Sequence, residues 1–133
     1  MRLLPFPEAS VCDDPAMLTA HHANAFLVLA LSLVTAVAGF VAYRRRRDAG
    51  RALTHLIALV QTLLVAQVAL GLLLLSDHRR AADHLHYLYG TLALLAVLAP
   101  WFYAPPDPRR RLAWFAGATL LAGALATRAY MTA

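Results

Sequence analysis

Apolar residues dominate four stretches of the chain, at about 17–43, 53–76, 83–103 and 112–131, and charges or prolines bound each stretch. Each approaches or exceeds the roughly 20 residues that cross a hydrocarbon layer of about 30 Å at about 1.5 Å per residue. The connections between them are too short to form domains. In lipid, backbone polar groups must be satisfied within the segment, so these runs predict helices. The expectation is an all-α membrane protein, a four-transmembrane-helix antiparallel bundle in up-down-up-down order, filling 17–133 as a single domain. Residues 1–16 read as a polar N-terminal leader that is retained, because Pro5, Pro7 and Glu8 interrupt any apolar run of a cleavable signal. Pro100 is predicted to kink or end the third helix, and Pro105, Pro106 and Pro108 to form a stiff turn after it.

Composition strengthens this reading. Of 133 residues, 61% are hydrophobic and 14% charged, which excludes a disordered chain and an ordinary soluble domain. One cysteine, Cys12, excludes an intramolecular disulfide. The net charge of +5 comes entirely from arginine, and its placement decides its meaning. Arg44, Arg45, Arg46, Arg47 and Arg51 lie between helices one and two, and Arg109, Arg110 and Arg111 between helices three and four. Arg2, Arg79, Arg80 and Arg128 lie on the other side, beside Glu8, Asp13, Asp14, Asp77 and Asp83. The positive-inside rule then puts the arginine-rich loops in the cytoplasm and both termini outside, in a multi-pass plasma-membrane protein. The basic excess marks topology and contact with anionic lipid, and no nucleic-acid partner is expected. Tyr43, Trp101, Phe102, Tyr103, Trp114 and Phe115 at one border, and Tyr87, Tyr89 and Tyr130 at the other, read as interfacial belts.

Histidine is the unusual residue. Five of the six, His21, His22, His78, His84 and His86, fall at the end opposite the arginine loops; His55 alone lies with the arginines. Coordinating side chains at membrane depth usually mark a site, although single interfacial histidines also serve headgroups and water. Helices one and three both begin at this end, so their histidines share a depth. Two imidazoles facing each other in an apolar bundle are the ligand set that a haem iron takes. Gly90, one turn after His86, leaves room for a flat ring, and Ala25, Ser32, Ala36 and Gly39 form a small face below His21. Those positions favour His21 over His22 and His86 over His84. Gln67 and Gly71 share a stripe on helix two that continues to His78, so Gln67 or His78 would serve as an outer contact. The same small residues equally serve close helix packing. Arg128 either pairs with a haem propionate or snorkels to headgroups.

A second constellation, Cys12, Asp13, Asp14, Met17, His21 and His22, would suit outward-facing copper or zinc, without tight ligand spacing behind it. Phosphate loops, nucleophile elbows and zincin motifs are missing. Asp48, Asp77, Asp83 and Asp107 all sit in connections, which argues against a proton pump or ion-coupled transporter.

Over about residues 21–103 the chain resembles one half of the haem A synthase family. The residues that carry the resemblance are H-H-A-N-A-F at 21–26, R-R-R-R at 44–47, A-Q-V-A-L-G at 66–71 and H-L-H-Y-L-Y-G at 84–90. It implies that one histidine from 21/22 and one from 84/86 are axial haem ligands. The chain departs from the family in three ways. It has one set of four helices where the family has two, it lacks the extracellular cysteine pair, and Met17 and Leu18 stand where a carboxylate precedes the first histidine. The expectation is therefore an integral membrane protein holding haem b, with electron transfer favoured over stand-alone catalysis. Its exchange partner would be a quinone or a redox subunit of the membrane, and the resemblance implies a homodimer that rebuilds eight helices. The alternatives are a non-catalytic accessory or assembly subunit, and the copper or zinc protein.

Overall fold

The computed structural model describes residues 15–133, which form helices and no strands. In chain order these are α1 (Pro15–Arg44), α2 (Arg51–Ser76), α3 (Leu85–Leu98), α4 (Pro100–Tyr103) and α5 (Pro108–Met131). Four spans, Pro15–Arg44, Arg51–Ser76, Leu85–Tyr103 and Pro108–Met131, are long and apolar enough to cross a membrane. The expected all-helical bundle with four such spans is therefore present. Residues 1–14, which include Cys12 and most of the expected leader, lie outside the described residues, and the last two leader positions, Pro15 and Ala16, belong to α1.

The helix ends differ from the sequence reading in instructive ways. The last span begins at Pro108, not near 112, so Arg109, Arg110 and Arg111 stand in the first turn of α5 instead of a loop. Asp107 explains the shift: its carboxylate accepts from the Arg110 backbone N–H at 2.8 Å, and Pro108 fits the first helical position because its missing N–H is not needed there. Three cations at a helix N-terminus oppose the macrodipole. Two of them rest on aromatic faces, Arg109 over Tyr43 at 4.8 Å and Arg111 over Trp101 at 5.9 Å and Phe115 at 5.8 Å.

Pro100 splits the third span into α3 and α4, as its lack of a backbone N–H requires. Gln61 of α2, buried, closes the break. Its amide N–H donates to the Val97 carbonyl at 3.2 Å, and its oxygen accepts from Trp101 Nε1 at 3.2 Å. The ends of α1 and α2 share a different device. Arg46 and His78 both adopt positive φ, 54° and 61°. The next residue in each case, Arg47 or Arg79, donates its N–H back to Ala42 or Leu74. This is the Schellman termination, here built without glycine.

The helices form a ring in which α3 packs along α5, α5 along α1 and α1 along α2, while α2 and α3 touch over a shorter stretch. Val28, Leu64, Ala93, Val97 and Ala122 fill its middle. The α1–α5 seam is close. A Cβ at Gly39 would stand 2.8 Å from the Ala116 Cβ, and one at Gly123 would stand 3.0 Å from the Ser32 Cβ. Ser32, Ala36 and Gly39 therefore serve helix packing, one of the two uses their small side chains left open; Ala25 borders the hollow that also holds His21, and Ser32 borders a separate groove between α1 and α5. Replacing Gly39 by valine should overpack this seam and cost about 1–3 kcal/mol, read as a lowered midpoint of thermal unfolding in detergent. An unchanged midpoint would mean that the seam is looser than described.

Candidate functional site

At the end of the ring where α1 and α3 begin and α2 and α5 finish, the four spans surround a cavity of about 290 Å³. Its lining is mostly apolar, from Val28, Leu64, Ala93 and Ala126 among others. The polar residues that border it are His21, His22, Gln67, His86, Tyr87, Thr91 and Tyr130, and the Tyr87 hydroxyl accepts from the Ala81 N–H at 2.9 Å. Such a combination, an apolar hollow with a few convergent polar groups, is the usual form of a ligand site.

Helix geometry selects among the paired histidines. His21 is half-buried and sits 6.2 Å from the half-buried His86, ring centre to ring centre, with the planes tilted by 54°. His22 also borders the cavity but is exposed, 6.3 Å from His21. His84 stands at the N-cap of α3, exposed and away from the lining. His78 is the residue in the left-handed conformation after α2 and is likewise exposed. His55 is exposed at the far end, in the first turns of α2.

Each of the two half-buried rings has a fixed hydrogen-bond partner. His86 Nδ1 lies 2.8 Å from the Ala129 carbonyl of α5, and the ring meets Tyr87 edge-on at 5.6 Å. The Gln67 amide nitrogen lies 3.1 Å from His21 Nε2 and 3.3 Å from Nδ1. Gln67 is held in turn by Asn24, which donates to its oxygen at 2.8 Å and to the Leu63 carbonyl at 3.0 Å. Sequence reasoning missed Asn24, although its position three residues after His21 puts both on one face of α1.

The two glycines behave differently from those of the α1–α5 seam. A Cβ at Gly71 would only rest against His21 Cε1 at 3.5 Å, and one at Gly90 would meet nothing within 4 Å. Both border the cavity, so Gly90 does leave open space beside His86. Arg128 lies elsewhere, exposed, with its guanidinium 5.7 Å from the centre of the Tyr89 ring. Of the proposed site residues, the structure therefore gathers His21, His22, His86, Gln67, Gly71 and Gly90, and leaves His84 and Arg128 outside. Among the described residues no three His, Cys, Asp or Glu side chains are grouped to hold a metal ion; Cys12, Asp13 and Asp14 lie outside those residues. No family model, curated protein or solved structure matches the chain.

His78 occupies a left-handed backbone position that a side chain disfavours. An L-residue in the left-handed region carries a penalty of about 1 kcal/mol that glycine avoids. His78→Gly should raise the thermal stability by up to about 1 kcal/mol, measured by unfolding in detergent, whereas a marked loss would assign the imidazole a role.

Proposed function

We propose that this chain is an integral membrane b-type haem protein whose cavity holds the group between His21 and His86, serving electron transfer. The observation that carries the reading is the 6.2 Å separation of these rings on two different helices of one apolar cavity. With metal–nitrogen bonds of about 2 Å, that is near the span of two imidazoles on opposite sides of one ion. The donor chemistry fits as well. A histidine whose Nδ1 proton is tied to a backbone carbonyl keeps Nε2 for a metal, the usual outer-sphere arrangement, and His86 with Ala129 has it. Gly90 adds a stretch of wall without a side chain beside His86.

His21 and His86 are the residues that would hold haem, which when bound would supply one-electron exchange. The protein's own residues do the rest. His86 is held by Ala129, His21 by Gln67, and the surrounding apolar side chains exclude water. The macrocycle is larger than the cavity, so the reading requires α2 and α3 to part along the seam where they touch least. A propionate contact would require Arg128 to leave Tyr89. In this reading the histidine end faces outward in the plasma membrane and the arginine end faces the cytoplasm, where anionic lipid meets the eight arginines.

Protein produced in a haem-replete host should carry a Soret band. His86→Ala should remove most of it, His21→Ala should weaken it, and His84→Ala should leave it near the level of the unchanged protein. A preparation without haem, or a band indifferent to both His21→Ala and His86→Ala, would overturn the proposal and return the accessory or assembly subunit as the better reading.

A further inference from the structure

The cavity at the histidine end reaches the surface of the bundle between α2 and α3, as well as at the end beside His22 and Ala133. Leu72 and Leu75 of α2 and Thr91 of α3 line it and are exposed at the same time, Leu72 at 61%. Leu64 and Ala93, at 2% and 1%, line its buried side. Gly71 and Gly90, one on each of these two helices, leave part of the wall without side chains. Gln61 clamps α2 to Val97 and Trp101 at the arginine end, yet the two helices touch over only a short stretch. In a bilayer a gap between two helices opens on hydrocarbon, not on water.

Water has little to hold it in this space. The half-buried polar residues of the lining are already engaged: His86 with the Ala129 carbonyl, His21 with Gln67, and the Tyr87 hydroxyl with the Ala81 N–H. An apolar cavity of about 150 Å³ stays dry and takes apolar guests instead; this one holds about 290 Å³. A hydrocarbon chain, one methylene wide, enters it without parting the helices. The connection from α2 to α3 adds a charge beside the opening. Asp77 lies against Arg79, and Asp83 accepts from the Leu85 N–H. Arg80 is exposed and has no ion-pair partner among the described residues. A phosphate at the headgroup level of the same leaflet complements that cation.

We propose that an anionic phospholipid of the leaflet at the histidine end occupies this cleft. One acyl chain runs between α2 and α3 to Leu64 and Ala93, and the phosphate lies beside Arg80. The site is independent of the haem reading; where haem takes the cavity, it displaces the chain.

A phosphatidylglycerol with a diazirine midway along one acyl chain tests this in haem-free protein reconstituted in phosphatidylcholine vesicles. After irradiation, peptide mass spectrometry should find label on Leu64 or Ala93, which are closed to the surrounding lipid. Label confined to outward residues such as Leu33, Val37 and Leu95 would overturn the proposal. Gly90→Leu adds a side chain where a Cβ meets nothing within 4 Å, so the fold should tolerate it. It should remove most of the internal label and keep the surface label; an undiminished internal label would contradict entry between α2 and α3. Should that variant fail to fold, the label pattern of the unchanged protein decides alone. Arg80→Gln should lower internal labelling about fivefold, the effect of one cation near an anionic headgroup. A phosphatidylcholine probe with the same chain should be indifferent to that substitution, and equal losses with both probes would contradict the phosphate contact.

Discussion

A solvent that cannot form hydrogen bonds is the constraint on which the rest of this structure depends. It forces the backbone into helices, and it makes every polar side chain inside the bundle expensive unless that side chain finds a partner. Hydroxyls such as Thr62 and Thr127 bond back to their own helix, while the amides and His86 bridge helices. Gln61 joins α2 to the broken third span, Asn24 joins α1 to α2, and His86 joins α3 to α5. Ser32 and Thr35 are the departures, buried hydroxyls without a partner among the described residues, at the seam where α1 and α5 come closest. Polar groups thus decide which helices are neighbours at each end, while the small residues of the α1–α5 seam set how close two of them lie.

The two ends of the bundle divide the remaining chemistry. One end gathers arginines stacked on aromatic rings, with Arg109 tying the start of α5 to the end of α1 through Tyr43. The other gathers imidazoles and amides around a cavity. The middle, from Val28 to Ala122, is aliphatic and small. At the second end the walls are mostly apolar, and only a few lining residues carry polar atoms.

Much of the fold was legible because hydrophobic runs of membrane length have one economical solution. Boundaries were less legible, since they depend on single residues: Asp107 and Pro108 move the start of α5 by a full turn, and Pro100 divides the third span. The choice of His21 over His22 rested on the small face Ala25, Ser32, Ala36 and Gly39, of which only Ala25 borders the hollow beside His21, and the choice of His86 over His84 rested on Gly90, which borders it too. The role of Ser32, Ala36 and Gly39 stayed open in the sequence for a definite reason. Small residues on a membrane helix serve a ligand or a neighbouring helix equally well, and only the partner's identity, here Ala116 and Gly123, tells them apart. Asn24 was missed because one amide in an apolar run carries no periodic signal. Its meaning comes from Leu63 and Gln67, which are distant in sequence.

The account stands or falls on two imidazoles sharing one iron. Electron paramagnetic resonance of the oxidised, haem-loaded protein addresses this most directly, because the spin state reports the number and strength of axial ligands. The prediction is a low-spin ferric signal in the unchanged protein that turns high-spin in both His21→Ala and His86→Ala. A high-spin signal in the unchanged protein, or a low-spin signal that survives either substitution, would contradict it.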